Sequence, residues 1–368
     1  MIANPIDVNT AFPVRKSKVQ KQAFRDAVIP YVQALGYECT TEKGMLGARN
    51  VVIGNSETAK YLITAHYDTC AHLPFPNLIT PCSFWLFMAY QLVIAAFMLL
   101  IPLIPTIAAD WLFDTGAASS MVWYAFFLLG AILMMVGPAN KRNANDNTSG
   151  VVAVLEIARK LPAELRSQVC FVLFDLEEAG LFGSMGYQEA HKNATKNQLV
   201  LNLDCVGDGD EIMLFPSGKV KKDQEKMELL RSCCGSQGKK RISIREKGFS
   251  FYPSDQANFP YGVGIAALRR SKVGLYLGRI HTHKDTILEE ANIHMIRDSI
   301  LSMIATHPEY TPVEPKKASG RRLNVSGILF LTTGILFLIS AWLGKDFFNV
   351  GLGVFFLALG IGKLTARK

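Results

Sequence analysis

Four long segments without a charged residue constrain this 368-residue chain more than any other feature. They are residues 83–109, 116–138, 323–344 and 347–362. A transmembrane helix needs about 20 consecutive apolar residues, so the first three are long enough to cross a bilayer and the fourth is short for one. Hydrophobic residues make up 49% of the chain and charged residues 19%, which is typical of a protein with lipid-facing surface. We expect four transmembrane helices in two hairpins; the alternative for each is a buried helix of a soluble domain.

The positions of the basic residues predict the orientation of these helices. The loop between the first two segments, residues 110–115, contains no lysine or arginine, whereas Lys141 and Arg142 follow the second segment. Lysine and arginine also cluster before and after the C-terminal pair, and Lys345 alone lies between its two segments. Because cytoplasmic loops carry the excess of lysine and arginine, we expect a multi-pass protein of the plasma membrane whose water-soluble part is cytoplasmic.

The cysteine pattern agrees with a reducing compartment. The seven cysteines are odd in number and contain no C-x-x-C pair. The sequence therefore favours neither a disulfide framework nor a thiolate zinc site.

The water-soluble part, residues 1–80 and 140–315, alternates between predicted strands and helices. Apolar residues at helical spacing predict helices at 16–35, 151–161 and 290–305. Apolar runs predict strands at 49–53, 60–64, 168–175, 199–203 and 264–268. This alternation is typical of an α/β fold with a mostly parallel central sheet flanked by helices.

Acidic residues and histidines follow several of the predicted strands directly. Sheets of this class bind their ligands at the C-terminal ends of the strands, so these residues are the candidates for a functional site. Four clusters obey the rule, and a fifth precedes a helix: TAHYDT at 64–69, FDLEEAGLFGS at 174–184, NLDCVG at 202–207, RIHTHKDT at 279–286 and ANDNTSG at 144–150.

Carboxylates and imidazoles are ligands for divalent metal ions, and a pair of ions needs one carboxylate whose two oxygens are free to bridge them. Asp146 suits this role because small and polar residues surround it. His66 would bind a metal through one ring nitrogen. Asp68, two residues later on the same side of an extended segment, would accept a hydrogen bond from the other nitrogen.

The adjacent pair Glu177 and Glu178 predicts two different roles. Only one of two neighbouring carboxylates can point directly at a metal, so the other remains near the metal-activated water as a general base. Crowding between the two carboxylates would raise the pKa of that base towards neutrality. The reaction predicted from these residues is the attack of water on a carbonyl group.

Taken together, these motifs resemble metallopeptidase family 28, the co-catalytic zinc aminopeptidases. The resemblance covers roughly 230 residues, and Ser254-Asp255-Gln256 also looks like a segment of that family. Its five motifs occur in the family's order: His66-Tyr-Asp68, Asp146-Asn-Thr-Ser-Gly150, Glu177-Glu178-Ala-Gly-Leu-Phe-Gly-Ser184, Asn202-Leu-Asp204 and His281-Thr-His-Lys-Asp285.

The resemblance implies a role for each of these residues. It implies that Asp68 orients a histidine ligand and that Glu177 is the general base. It also implies His281 as the ligand in preference to His283, since His281 begins the H-T-x-x-D pattern. The implied cofactors are two Zn²⁺ ions, with other divalent ions as alternatives, held by two ligand sets: His66, Asp146 and Asp204 for one ion, and Asp146, Glu178 and His281 for the other.

The sequence departs from the family between His66 and Asp146, where two predicted membrane spans are inserted. His66 and Asp146 must both reach one metal, so the inserted segment has to end on the side of the membrane where it began. An even number of spans satisfies this condition. The predicted organisation is therefore an α/β di-zinc peptidase domain (1–80 and 140–315), an inserted transmembrane hairpin (83–138) and a C-terminal transmembrane hairpin (323–364).

The predicted function is that of a membrane-anchored, zinc-dependent exopeptidase, specifically an aminopeptidase. The alternatives are a zinc-dependent N-acyl amidohydrolase, a glutaminyl cyclase-like enzyme and a catalytically silent membrane scaffold or receptor of the same fold. The expected partners are a peptide substrate and membrane lipid, without nucleic acid. Glycines seven residues apart in the C-terminal spans are compatible with helix packing within the chain or with a homo-oligomer.

Overall fold

The structure, a computed structural model, describes residues 2–73, 75, 77–272, 274–307 and 310–311. Its helices are α1 (Val8–Ala11), α2 (Lys18–Ala34), α3 (Phe84–Leu100), α4 (Leu103–Phe113), α5 (Ser119–Val136), α6 (Gly150–Lys160), α7 (Phe182–Ala190), α8 (Lys192–Thr195), α9 (Gln224–Ser232) and α10 (Glu290–Thr306). Its strands are β1 (Cys39–Lys43), β2 (Arg49–Ile53), β3 (Tyr61–His66), β4 (Val169–Phe174), β5 (Leu199–Leu203), β6 (Glu211–Pro216), β7 (Gly235–Gln237), β8 (Lys240–Ile244), β9 (Gly262–Ser271) and β10 (Gly274–Tyr276).

These strands form one mixed sheet in the order β1-β2-β4-β3-β5-β9-β6-β8-β7, with β10 paired to β9. Strands β4, β3, β5 and β9 run parallel at its centre. Apart from the parallel β6–β8 pair, the outer pairings are antiparallel. The prediction of a mostly parallel sheet is therefore correct only for the centre. The short connections from β1 to β2 and from β9 to β10 allow only antiparallel neighbours, since a parallel crossover needs a dozen residues or more.

Strand β4 shows why the centre of this sheet is buried on both faces. Its side chains alternate between two hydrophobic clusters: Phe171 packs with the cluster that contains α2, α6 and α10, and Val172 with the cluster that contains Tyr187 and Phe259. Every residue of β4 is buried. A strand that is covered on both faces requires the continuous apolar run seen in the sequence rather than an alternating one.

Two helical segments are long and apolar enough to cross a membrane, residues 84–113 and 119–136. The first is interrupted between α3 and α4, where Pro102 precedes α4 and provides no N–H for a continuous helix. The indole N–H of Trp123 in α5 donates to the carbonyl of Leu99 in α3 at 3.2 Å. The predicted C-terminal pair of spans lies outside the described residues.

The two ends of the segment that carries α3 to α5 are joined by backbone hydrogen bonds where it meets the α/β part. Ala71 and Ala139 form an antiparallel bridge. The N–H of Asn140 donates to the carbonyl of Cys70 at 3.1 Å, and the N–H of His72 donates to that of Pro138 at 2.7 Å. The chain therefore leaves and re-enters the α/β part at one place.

Candidate metal and catalytic site

Three neighbouring parallel strands deliver the first group of site residues. His66 is the last residue of β3, and Asp204 follows the last residue of β5. Glu177 and Glu178 lie in the turn after β4. Since β4, β3 and β5 are adjacent and parallel, their C-terminal ends meet at one edge of the sheet.

Asp146 lies in a turn, Ala144–Ser149, that leads directly into α6 and in which Asp146 and Asn147 have non-helical backbone angles. The carboxylate of Asp285 holds this turn by accepting the N–H groups of Asn145 at 2.7 Å and of Asp146 at 3.0 Å. The side-chain amide of Asn147 donates to the carbonyl of Leu203, the last residue of β5, at 3.0 Å. Asp146 is thereby fixed beside the strand end that carries Asp204.

The two carboxylate oxygens of Asp146 face two different groups of donors. Asp146 Oδ1 lies 3.4 Å from His66 Nε2, and the same nitrogen is 3.6 Å from Asp204 Oδ1. Asp146 Oδ2 lies 3.2 Å from His281 Nε2, which is 3.5 Å from Glu178 Oε2. The structure therefore assembles two neighbouring donor sets that share one carboxylate, and they are the sets implied by the family resemblance.

The spacing and the unpaired atoms of these donors fit a metal at each position. Two ligand atoms bound to one zinc ion at a tetrahedral angle lie about 3.3 Å apart, close to the separations seen here. Asp204 Oδ1 and Glu178 Oε1 are buried and have no hydrogen-bond partner within the described residues. Buried carboxylate oxygens of this kind are paired or bound to metals in folded proteins.

The ionisation of the site reflects the concentration of negative charge. Burial disfavours the charged form of Asp146, but hydrogen bonds from His281 and His66 outweigh it and lower the pKa of Asp146. Burial raises the pKa of Glu178 well above its usual range, and the charge of Asp146 raises it further. Cations bound at the two donor sets would relieve this repulsion.

Glu177 lies beside the first donor set. One oxygen of Glu177 and donor atoms of His66 and Asp204 lie within 4.8 Å of one another. Burial raises the pKa of Glu177 well above its usual range; the charge of His66 opposes this rise, and the carboxylate of Glu178 adds to it. A carboxylate with a raised pKa is suited to accept a proton and release it near neutral pH.

Asp68 supports the turn that carries the two glutamates. Its carboxylate accepts the N–H of Glu177 at 3.1 Å and the N–H of Glu178 at 3.2 Å. The Nδ1 atom of His66 lies 3.2 Å from the backbone carbonyl of Asp68 and 3.6 Å from its carboxylate. The ring of His66 is therefore within hydrogen-bond distance of the backbone carbonyl of Asp68. The sequence had instead predicted the carboxylate of Asp68 as its partner.

Of the two candidate histidine ligands, His281 and not His283 lies in the second donor set. Its Nε2 atom faces Asp146 and Glu178, whereas the side chain of His283 is exposed and lies near His72, with ring centroids 6.4 Å apart. His281 also has a positive φ of 61°.

Several supporting residues were not predicted from the sequence. The buried Nε of Arg15 donates to the carbonyl of Tyr67 at 2.5 Å, which supports the segment after β3. The thiol of Cys70 lies within 4.8 Å of donor atoms of the second set. Burial raises the pKa of Asp255 to about 7. Asp255 belongs to a motif noted in the sequence, but Arg15 and Cys70 match no motif that would have identified them.

The site opens into a cavity of about 300 Å³. His66, Asp146, Glu177 and His281 line it together with Tyr252. The hydroxyl of Tyr252 donates to the carbonyl of Asp204 at 3.0 Å. A cavity of this size holds part of a peptide rather than a folded protein.

Comparisons with known proteins give a family match and similar folds. The model of peptidase family M28 matches residues 131–304. No curated protein sequence matches the chain. Among solved structures, Porphyromonas gingivalis glutaminyl cyclase is similar with a TM-score of 0.52 and 15% identity, over 82% of this chain and 96% of that one. A Zn-dependent exopeptidase from Parabacteroides distasonis has the same TM-score and identity, over 81% and 94%.

A third similar structure, the LapA aminopeptidase of Legionella pneumophila, has a TM-score of 0.47 and 13% identity, and the chain spans 66% of its length. The matched residues 131–304 include Asp146, Glu178, Asp204 and His281, whereas His66 precedes them and the inserted helices. The fold is thus that of zinc exopeptidases and glutaminyl cyclases. The model of peptidase family M28 matches residues 131–304, in agreement with the resemblance found in the sequence motifs.

Proposed function

We propose that this chain is a membrane-anchored aminopeptidase that uses two zinc ions. The observation that carries the proposal is the placement of Asp146, whose two oxygens face His66 at 3.4 Å and His281 at 3.2 Å. A carboxylate shared between two donor sets is what a pair of co-catalytic ions requires.

In this proposal His66, Asp146 and Asp204 hold one ion, and Asp146, Glu178 and His281 hold the other. When bound there, zinc would polarise the scissile carbonyl as a Lewis acid and would lower the pKa of the attacking water. Glu177 takes the proton of that water and passes it to the leaving amine. Asp68 keeps Glu177 in place through the backbone hydrogen bond at 3.1 Å.

The proposal also places the α/β part at the cytoplasmic face of the plasma membrane. Helices α3 to α5 cross the bilayer as a hairpin, and the bridge between Ala71 and Ala139 returns the chain to the side that it left. Lys141 and Arg142, directly after the hairpin, support the cytoplasmic assignment.

The direct test is digestion of a peptide library by the purified full-length chain with zinc, followed by mass spectrometry. The proposal predicts stepwise removal of N-terminal residues, abolished by a metal chelator and restored by zinc. Cleavage inside peptides, or no cleavage in the presence of zinc, would contradict it.

The similarity to a glutaminyl cyclase makes cyclase-like activity the second candidate. The same experiment separates the two. A cyclase converts peptides that begin with glutamine by loss of ammonia and leaves other peptides intact, whereas an aminopeptidase shortens them.

A further inference from the structure

The membrane hairpin contributes side chains to the catalytic cavity itself. Phe87 and Gln91 of α3 and Met135 of α5 line the same cavity as His66 and Glu177. An anchor alone would not require hairpin side chains in the cavity that contains the catalytic groups.

These side chains are held in place by contacts with the α/β part. The ring of Phe87 packs against that of Phe251, with centroids 5.1 Å apart. The N–H of Phe251 donates to the carbonyl of Pro81, just before α3, at 3.1 Å. On the other side of the hairpin, Lys16 Nζ donates to the carbonyl of Met135 at 2.9 Å. Both ends of the hairpin are therefore fixed relative to the catalytic residues.

Gln91 is the single side-chain amide of α3, whose other residues are apolar or aromatic. Its amide forms no hydrogen bond to another side chain or to backbone within the part of the chain that the structure describes. Polar side chains in membrane helices face protein interiors or water-filled cavities and mark functional sites. Phe87 lies one turn before Gln91, so the two side chains share one face of the helix.

The depth of these residues in the hairpin indicates where a substrate would lie. Gln91 is seven residues from the start of α3, which corresponds to about 10 Å along the helix axis. The polar headgroup layer occupies roughly 5 to 8 Å on each side of the hydrocarbon core. If α3 enters the headgroup layer at its first residue, the cavity reaches the level at which an amphipathic peptide lies in the bilayer.

Resting on the proposed aminopeptidase function, we propose that Phe87, Gln91 and Met135 form a substrate-binding subsite for membrane-associated peptides with an apolar N-terminal side chain. The apolar side chain packs against Phe87 and Met135. The amide of Gln91 forms a hydrogen bond with the peptide backbone, which would otherwise lose its water in this layer. The substrate reaches the catalytic groups from the bilayer surface.

The test compares two peptides with one sequence that begins with leucine, one soluble and one anchored by a C-terminal palmitoylated lysine. The full-length chain is reconstituted in phosphatidylcholine vesicles, and kcat/KM is measured for both peptides. We expect the wild type to favour the anchored peptide, because the subsite receives substrate from the bilayer surface and the soluble peptide enters from water without using it. Phe87→Ala and Gln91→Leu should then each reduce the anchored-to-soluble ratio about 10-fold, mainly through KM.

The matched control is Leu92→Ala, which removes a neighbouring side chain that is 66% exposed and outside the cavity. This variant should keep the wild-type ratio. The ratio of the kcat/KM values for the two peptides does not depend on the fraction of folded enzyme. If Phe87→Ala fails to fold, Met135→Ala tests the same subsite.

An unchanged ratio in Phe87→Ala and Gln91→Leu, or an equal loss in Leu92→Ala, would overturn the subsite. If the wild type cleaves neither peptide in the presence of zinc, the proposed aminopeptidase function itself fails. The two failures are therefore distinguishable.

Discussion

The carboxylate of Asp68 accepts the backbone N–H of Glu177 at 3.1 Å. This hydrogen bond connects the segment that carries His66, a proposed metal ligand, to the turn that carries Glu177, the proposed general base. In Asp68→Asn, an amide replaces the carboxylate, and its NH₂ group cannot accept the second N–H donor, that of Glu178. We expect kcat/KM for a leucine peptide to fall about 10- to 100-fold. Glu164→Gln, at an exposed carboxylate, should leave it unchanged.

Replacement of Glu177, the proposed general base, separates proton transfer from metal binding. Glu177→Gln retains the size of the side chain but cannot accept a proton, so we expect kcat to fall about 10²- to 10⁴-fold. Zinc content, measured by mass spectrometry of the purified variant, should remain that of the wild type. Wild-type turnover in this variant would exclude Glu177 as the base.

Asp285 provides a test of how Asp146, the proposed bridging ligand, is held. Its two oxygens accept the N–H groups of Asn145 and Asp146, and an asparagine offers only one acceptor oxygen for these two donors. We expect Asp285→Asn to weaken zinc binding about 10- to 100-fold in a competition assay with a chelator. Asp298→Asn, at a carboxylate that is 65% exposed, is the control. An unchanged zinc affinity in Asp285→Asn would show that the turn that carries Asp146 does not depend on the Asp285 carboxylate.

His191, which is not part of the candidate metal site, leads us to expect a pH dependence of stability. Partial burial opposes its protonation, but hydrogen bonds to Glu57 and Glu42 outweigh burial and raise the pKa of His191. Because the folded pKa is raised, the stabilisation is fully present below about pH 6.5, the ordinary value, and is lost as the pH rises through the folded pKa. His191→Gln should therefore lower the Tm at pH 5.5 by more than at pH 9. Equal losses at both pH values would contradict this account.

The centre of the fold could be predicted because buried parallel strands leave a clear pattern in the sequence. The predicted bounds of β2 and β5 are confirmed, and β4 differs by one residue at each end. The predicted helices at 16–35, 151–161 and 290–305 correspond to α2, α6 and α10 within two residues. The long apolar runs were also recognisable, since their length exceeds that of ordinary buried strands.

The outer strands were not predicted, for a physical reason. Strand β7 is exposed and β8 is mostly half-buried, and both are rich in polar residues, so neither shows a continuous apolar run. Strand β6 was missed although most of its residues are buried.

The site was predictable as a set of residue types but not as a set of contacts. The order of the motifs predicted His66, Asp146 and Glu178 as site residues, and the structure brings them close together. The carboxylate of Asp68 was expected on His66 and instead accepts two backbone N–H groups, which depend on how the chain folds after β4. The contact of Gln91 with the cavity could likewise not be predicted, because the sequence of α3 is apolar on all sides and does not indicate which face meets the α/β part.

Zinc titration of the metal-free protein tests the central claim most directly. If Asp146 bridges two ions, aminopeptidase activity should return as zinc is added and reach its maximum at about two ions per chain. Saturation of activity at one ion per chain, with no further effect of a second, would contradict the bridged site.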